Sequence, residues 1–360
     1  MPVNPVTCDA LLSPDLAGAH ARARRRRERV RRALVGGGTA LVMAGLLAIP
    51  LFLLAGLLPW QGLPDDAWQR LGVLAAGSLR AAAFAALVAV PLGLATALFT
   101  AHFCAPRLRG WLKPSLEMLE ALPTVVLGLV ATATLAPWLK TEVATLLALL
   151  VALPAVLLAL AFAFGARVRR AGWLPLWLLP LPVALVAIGL ALGARSGTVA
   201  IAPANPWNAL VVGLALGVAA LPLVYSVAED ALFLVPREQA QAAFALGATR
   251  WQALTTVVLP AAGSGLVAAV LLGVSRCLGE TMVVLMASGN TPIAGVDPLT
   301  GLRAISAELA LVLPDTAPAS TTWRSLLLAA LALLAVTALL NRLAEAVRAR
   351  LRRRLQGLPA

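Results

Sequence analysis

The chain has 360 residues, 61% of them hydrophobic and only 12% charged, with a formal net charge of +13. Soluble domains run about 45–50% apolar and about 25% charged, so these figures, with a mean hydropathy of +0.90, exclude a soluble enzyme. They exclude an intrinsically disordered chain as well. Aromatic residues make up 5%, and the rest of the apolar content is mostly Leu, Ala and Val, which suits membrane helices better than β-barrel strands.

A spanning helix needs about 20 mostly apolar residues. In chain order, such stretches predict spans at 33–58, 72–101, 119–139, 143–165, 173–193, 207–228, 257–288 and 323–341. The expected fold class is therefore an all-α integral membrane protein, a polytopic helical bundle of about eight spans with both termini on one side. Basic residues choose the side. One set of connections carries the Arg22–Arg32 run, Arg107, Arg109, Lys113, Arg167, Arg169, Arg170, Arg237, Arg250 and the tail arginines from Arg342 onward. The opposite set carries only Arg70, Lys140, Arg195, Arg303 and Arg324. Both termini are thus expected in the cytoplasm, with the arginine run as an anchor on anionic membrane lipid and not a site for nucleic acid. The first apolar run is span-length, so no cleavable signal peptide is expected. Cys8, Cys104 and Cys277 are too few and scattered for a disulfide framework or a zinc cluster. His20 and His102 cannot make a metal site by themselves, so no metal is expected.

Most connections are short. A long one, 229–256, falls between the sixth and seventh predicted spans on the cytoplasmic side. Residues 238–246, beginning at Glu238, are good helix formers, and Gly247 stands where a helix C-terminal stop is expected. A short helix lying across the inner face is predicted, able to pass a push from a cytoplasmic partner to two spans. Its Gln241-Ala242-Ala243, Gly247, Val257, Leu259 and Pro260 resemble the coupling-loop motif of ABC importer permeases: Glu-Ala-Ala, three residues, Gly, nine residues, Ile, one residue, Leu-Pro. Gln stands for Glu at 241 and Val for Ile at 257, so a salt bridge from 241 to a partner is not expected.

The next stretch, Arg276-Cys-Leu-Gly-Glu280-Thr281-Met, is similar to the Arg-Ala-Leu-Gly-Glu-Thr-Met segment of phosphate-uptake ABC permeases of the PstC type. Val90-Pro91-Leu-Gly93, Lys113-Pro114, Leu122-Pro123-Thr-Val-Val-Leu-Gly128, Ser226-Val-Ala-Glu229-Asp230 and Thr300-Gly-Leu-Arg-Ala-Ile-Ser-Ala-Glu308 match the same family. The resemblance covers roughly 70–139 and 207–343 and lapses across 140–206, which reads as an added helical hairpin. It divides the chain into a basic N-terminal segment (1–32), a first span and outer loop (33–69), a first core part (70–139), the hairpin (140–206), a second core part (207–343) and a basic tail (344–360).

The resemblance implies a type I importer permease core, with a cytoplasmic ATPase dimer, a second, PstA-like permease and a separate phosphate-binding protein on the outer face as partners. It implies a transport subunit and not an enzyme, in the cell inner membrane. No Gly-x-x-x-x-Gly-Lys-Ser/Thr occurs, so no cofactor is expected on this chain and ATP is expected at the partner.

Intramembrane charges are costly and functional by default. Arg276 and Glu280, four apart, are expected on one helix face about 6 Å apart along the axis. Two readings stand. In one, Arg276 lines the pathway and offers its fork to an oxyanion, Glu280 cancels the excess charge, and Thr281 adjoins them. In the other, the two merely neutralise each other. Arg80, inside the second span, either snorkels to the outer interface or makes a second oxyanion contact. The functional alternatives are the same machine carrying molybdate or sulfate, and a secondary transporter that needs no ATPase.

Overall fold

The computed structural model describes residues 14–58, 64, 66–142, 205–293, 295, 297–318 and 320–355. Among these, all regular secondary structure is helical, as expected, apart from an isolated bridge between Gly289 and Leu302. Six helices among the described residues are long and apolar enough to cross a membrane. The predicted spans at 143–165 and 173–193, and with them nearly all of the 140–206 hairpin, lie outside the described residues.

The chain divides into two units, 1–59 and 60–360. The first is one 44-residue helix, α1 (Pro14–Leu57). From Pro14 onward the basic segment and the first span, expected as separate pieces, run on as a single helix. Arg32 pairs with Glu28 one turn back at 2.9 Å, in the favoured i,i+4 spacing.

In the second unit, α2 (Ala67–His102) packs along α5 (Ala209–Phe233) more extensively than any other pair of described elements. Their contact is lined by small residues, which bring backbones close where lipid gives no hydrophobic drive between helices. Ala81, Ala85 and Ala89 are buried on α2. A methyl group at Gly217 of α5 would stand 2.8 Å from Val88 Cβ, and one at Gly93 would stand 2.9 Å from a Val224 methyl. α5 is the central helix: 61% of its apolar window is buried, against 33% or less in the other five.

Between α2 and α4 (Thr124–Glu142) lies a separate amphipathic helix, α3 (Pro106–Ala121). The span expected at 119–139 therefore starts later. Pro123 disfavours the helical region for the residue before it, and Leu122 is extended, with φ −67° and ψ 129°. After α5 come α6 (Arg237–Ala245) and α7 (Arg250–Gly279). The span expected as continuous over 257–288 breaks at Glu280, and a short helix, α8 (Met282–Ala287), follows. A loop, α9 (Ile305–Val312) and α10 (Thr321–Leu355) complete the unit, with α10 against α7. Both α4 and α7 contain a wide π turn, at Ala131–Leu135 and Leu254–Val258. The second stands just before Pro260, which has no N–H to give to a regular turn.

Candidate functional site: a broken span and an exposed cytoplasmic helix

Arg276, Glu280 and Thr281 come together at the break, and all three are half-buried. The expected i,i+4 face is not formed. α7 stops at Gly279, and Glu280 is extended at φ −73°, ψ 126°. Its N–H donates to Cys277 O at 3.4 Å, and its carbonyl accepts from Ser306 Oγ at 2.9 Å. Among the described residues neither the Arg276 guanidinium nor the Glu280 carboxylate makes a hydrogen bond or an ion pair. The reading of the two as a neutralised structural pair is therefore not the arrangement found. A cation and an anion stand beside an interrupted helix, each with its polar atoms uncommitted.

The break is held by its neighbours. Gly128 lets α4 approach α8 closely: a methyl group there would lie 3.1 Å from Met286 Sδ and 3.3 Å from Met282 O. One turn on, the Thr132 hydroxyl donates to Gly128 O at 2.7 Å and lies 3.2 Å from Met286 O. α8 ends in two left-handed residues, Gly289 (φ 71°) and Asn290 (φ 50°). The Asn290 side chain donates to Leu285 O at 2.8 Å, the local bond that makes this conformation tolerable for Asn.

Arg80 does not join this group. It is 6% exposed and does not snorkel. Nη1 donates to Gly295 O at 2.9 Å and Thr300 Oγ1 at 3.3 Å, and Nη2 to Gly301 O and Thr300 O. Both terminal nitrogens are spent on the loop after α8. Beside it, Ser78 Oγ accepts the Ile305 N–H at 2.9 Å. Arg80 and Ser78 thus pin this loop to α2, and Ser306 ties the loop's far end to Glu280.

At the other candidate stretch, α6 buries no residue. Glu238, Gln241, Ala242, Gly247 and Pro260 are exposed, while Ala243 and Leu259 are half-buried. The helix ends in a Schellman motif: Ala248 N–H donates to Ala243 O at 3.0 Å and Gly247 N–H to Phe244 O at 2.9 Å, with Gly247 at φ 84°. Thr249 and Gln252 then form a reciprocal capping box that starts α7. Every turn between the two helices is therefore fixed, and the fixed surface is apolar: Phe244 is 46% exposed, Trp251 63% and Leu246 90%. A stiff apolar surface of this kind suits docking.

Sequence reasoning missed a third cluster. Glu229, assigned to the loop 229–256, instead lies in the last turns of α5, which ends at Phe233, and is 1% exposed. Arg109 Nη2 donates to its Oε1 at 3.0 Å, and Lys113 Nζ stands 3.0 Å from its Oε2. The Arg109 guanidinium also lies 4.2 Å over the Phe233 ring. The available signal was an acid directly after an apolar run, together with two cations one helical turn apart at 109 and 113.

The family described as binding-protein-dependent transport system inner membrane component matches residues 89–356. The chain is 27% identical over 284 residues to the phosphate transport system permease protein PstC 2 of Mycobacterium tuberculosis (strain ATCC 25618 / H37Rv), covering 75% of this chain and 74% of the relative. It is 26% identical over 246 residues to PstC of Mesorhizobium japonicum, covering 64% and 62%. A shorter stretch of 64 residues is 39% identical to the phosphate transport system permease protein PstA 1 of Mycobacterium tuberculosis (strain CDC 1551 / Oshkosh), covering 18% and 21%.

Proposed function

The chain belongs to the binding-protein-dependent transport system inner membrane component family, and on that premise we propose that it is the membrane subunit of an ATP-driven importer of inorganic phosphate. It is a multi-pass membrane protein and a transport component. Its relatives named as phosphate permeases support the substrate class. The single observation that carries the mechanism is the uncommitted Arg276–Glu280 pair at a broken span.

Phosphate carries a charge between −1 and −2 near neutral pH, as phosphate monoesters do. The guanidinium fork of Arg276 can donate two charge-assisted hydrogen bonds to its oxygens. Glu280, four residues on, carries the opposite charge, so the arriving anion is attracted and then released, as conduction requires. The extended backbone at Glu280 lets these two groups shift relative to each other with modest dihedral changes, which a continuous helix forbids.

The exposed α6–Gly247–α7 turn is the surface on which a cytoplasmic ATPase docks. ATP binds and is hydrolysed at that partner. A second permease resembling PstA completes the pathway, and a solute-binding protein delivers phosphate from outside. The excess of basic residues in one set of connections supports a cytoplasmic side for both termini. Closure of the ATPase pair pushes α6, and the push does work only because phosphate meets different contacts in the two states.

The test is uptake of labelled phosphate by vesicles containing the assembled complex. ATP-dependent uptake that excess phosphate suppresses, and molybdate and sulfate do not, supports the reading. Suppression by either of the other anions at equal concentration moves the substrate to that anion. Uptake that proceeds without ATP returns the chain to the secondary transporters.

A further inference from the structure

We propose that Glu229, Arg109 and Lys113 form the joint through which movement of α6 reaches α4 and the broken span. The inference rests on the docking role given to α6 above. The α5 end that carries Glu229 runs through only residues 234–236 into α6. Glu229 itself is buried in α5 and reaches across to α3, where its two carboxylate oxygens are taken by Arg109 and Lys113. Arg109 holds the same α5 end a second time through the Phe233 ring.

α3 has no buried residue of its own. Leu112, Leu116 and Leu119 are half-buried, Leu116 against the α5–α7 core, and no apolar residue of the helix is fully buried. The two ion pairs to Glu229 add a polar hold on α5 to these partial contacts. α3 passes into α4 through Leu122 and Pro123 alone, and the proline ring stiffens that link. α4 in turn touches α8 at Gly128 and Thr132, next to Glu280. A continuous path therefore runs from α6 to α5, to the ion cluster, to α3, to α4 and to the break.

A charged joint suits this place. The carboxylate is buried and the cations are half-exposed, at 33% and 40%. Removing the acid leaves two like charges that can turn to water, so α3 detaches while the α2–α5 packing stays. The joint residues are positioning residues: they touch no substrate.

Spatial intermediacy alone does not establish coupling, so the test reads coupling directly. The full chain is assembled with its ATPase and second permease in lipid vesicles, as wild type, as Glu229→Gln, and as Arg109→Gln/Lys113→Gln, which removes the joint from its half-exposed side. Three quantities are measured: ATP hydrolysis, hydrogen exchange of residues 106–121, and nucleotide-dependent thiol labelling of a Thr281→Cys reporter in a chain whose native cysteines are serine. Both variants are expected to hydrolyse ATP within about twofold of wild type, to exchange faster over 106–121 alone, and to lose at least about tenfold of the nucleotide effect at 281. A Glu229→Lys/Lys113→Glu exchange is expected to recover part of that effect over Glu229→Lys.

Wild-type labelling response in both variants overturns the proposal. So does loss of assembly and hydrolysis in both variants, because the cluster is then an anchor only. None of the three readouts uses phosphate. A wild-type complex that hydrolyses ATP and responds at 281 but carries no phosphate contradicts the substrate reading and leaves the joint standing.

Discussion

Two arginines inside apolar helices look alike in the sequence and have different surroundings. Arg276 is half-buried with its guanidinium uncommitted, whereas Arg80 is buried with both terminal nitrogens on loop acceptors and its Nε left unpaired. Substitution separates them. Arg276→Gln is expected to lower ATP-driven uptake about 100-fold or more with the assembled amount unchanged, because it removes charge-assisted bonds from the pathway. Arg80→Met is expected to cost about 2–4 kcal/mol of stability, since it orphans carbonyls that were paired with a cation. Thermal unfolding of the two purified variants checks this: only Arg80→Met should shift the midpoint. Glu280→Gln should tighten phosphate binding and slow its release, seen as a lower KM with a lower maximal rate. The sequence pattern identified Arg276 as a pathway candidate through its neighbours in the motif. It could not place Arg80, because the acceptors are backbone atoms more than 200 positions away, and backbone carbonyls leave no mark in residue identity.

At the scale of elements, turns and caps were legible and breaks were not. Gly247 read correctly as a helix stop, since a left-handed C′ position favours glycine. Gly247→Ala is expected to cost about 1 kcal/mol from the positive φ and to weaken ATPase association. Gly247→Asn should be tolerated better, and co-purification of the ATPase measures both. The break after Gly279 has no such mark, and the apolar pattern runs on through it. That the span ends there follows from the extended Glu280 and its carbonyl bond to Ser306, a tertiary contact. The end of α3, residues 119–121, likewise fell into the span predicted at 119–139, because apolar residues continue up to Pro123. The bond to Glu229 raises the pKa of Lys113 above its ordinary value, against a smaller opposing effect of burial. A raised folded pKa means that this contribution is complete below the unfolded value of about 10.4 and lost as pH climbs through the higher folded one. Protection of 106–121, corrected for intrinsic exchange, should therefore be equal at pH 7 and pH 9 if Lys113 governs it.

Across the whole molecule, the second unit is built around a buried α5. The α2–α5 packing is held by small residues, and the two ends of this pair carry different devices. At the α6 end are an exposed apolar turn and the Glu229 joint. At the other end, Arg80 and Ser78 pin the loop that leads from α8 to α9. The broken span lies between, touched by the loop through Ser306 and by α4 through Thr132. The all-α architecture followed from composition and span-length apolar runs, which are properties of single stretches. The broken span and the buried acid depend on contacts between distant stretches, and only folding reveals those.

The most direct test of the account is labelled-phosphate uptake by vesicles holding the complete complex, wild type beside Arg276→Gln, with ATP hydrolysis measured in the same preparation. Uptake that requires ATP in wild type and vanishes in Arg276→Gln, while the variant still hydrolyses ATP, is the predicted result. Undiminished uptake by Arg276→Gln would contradict it.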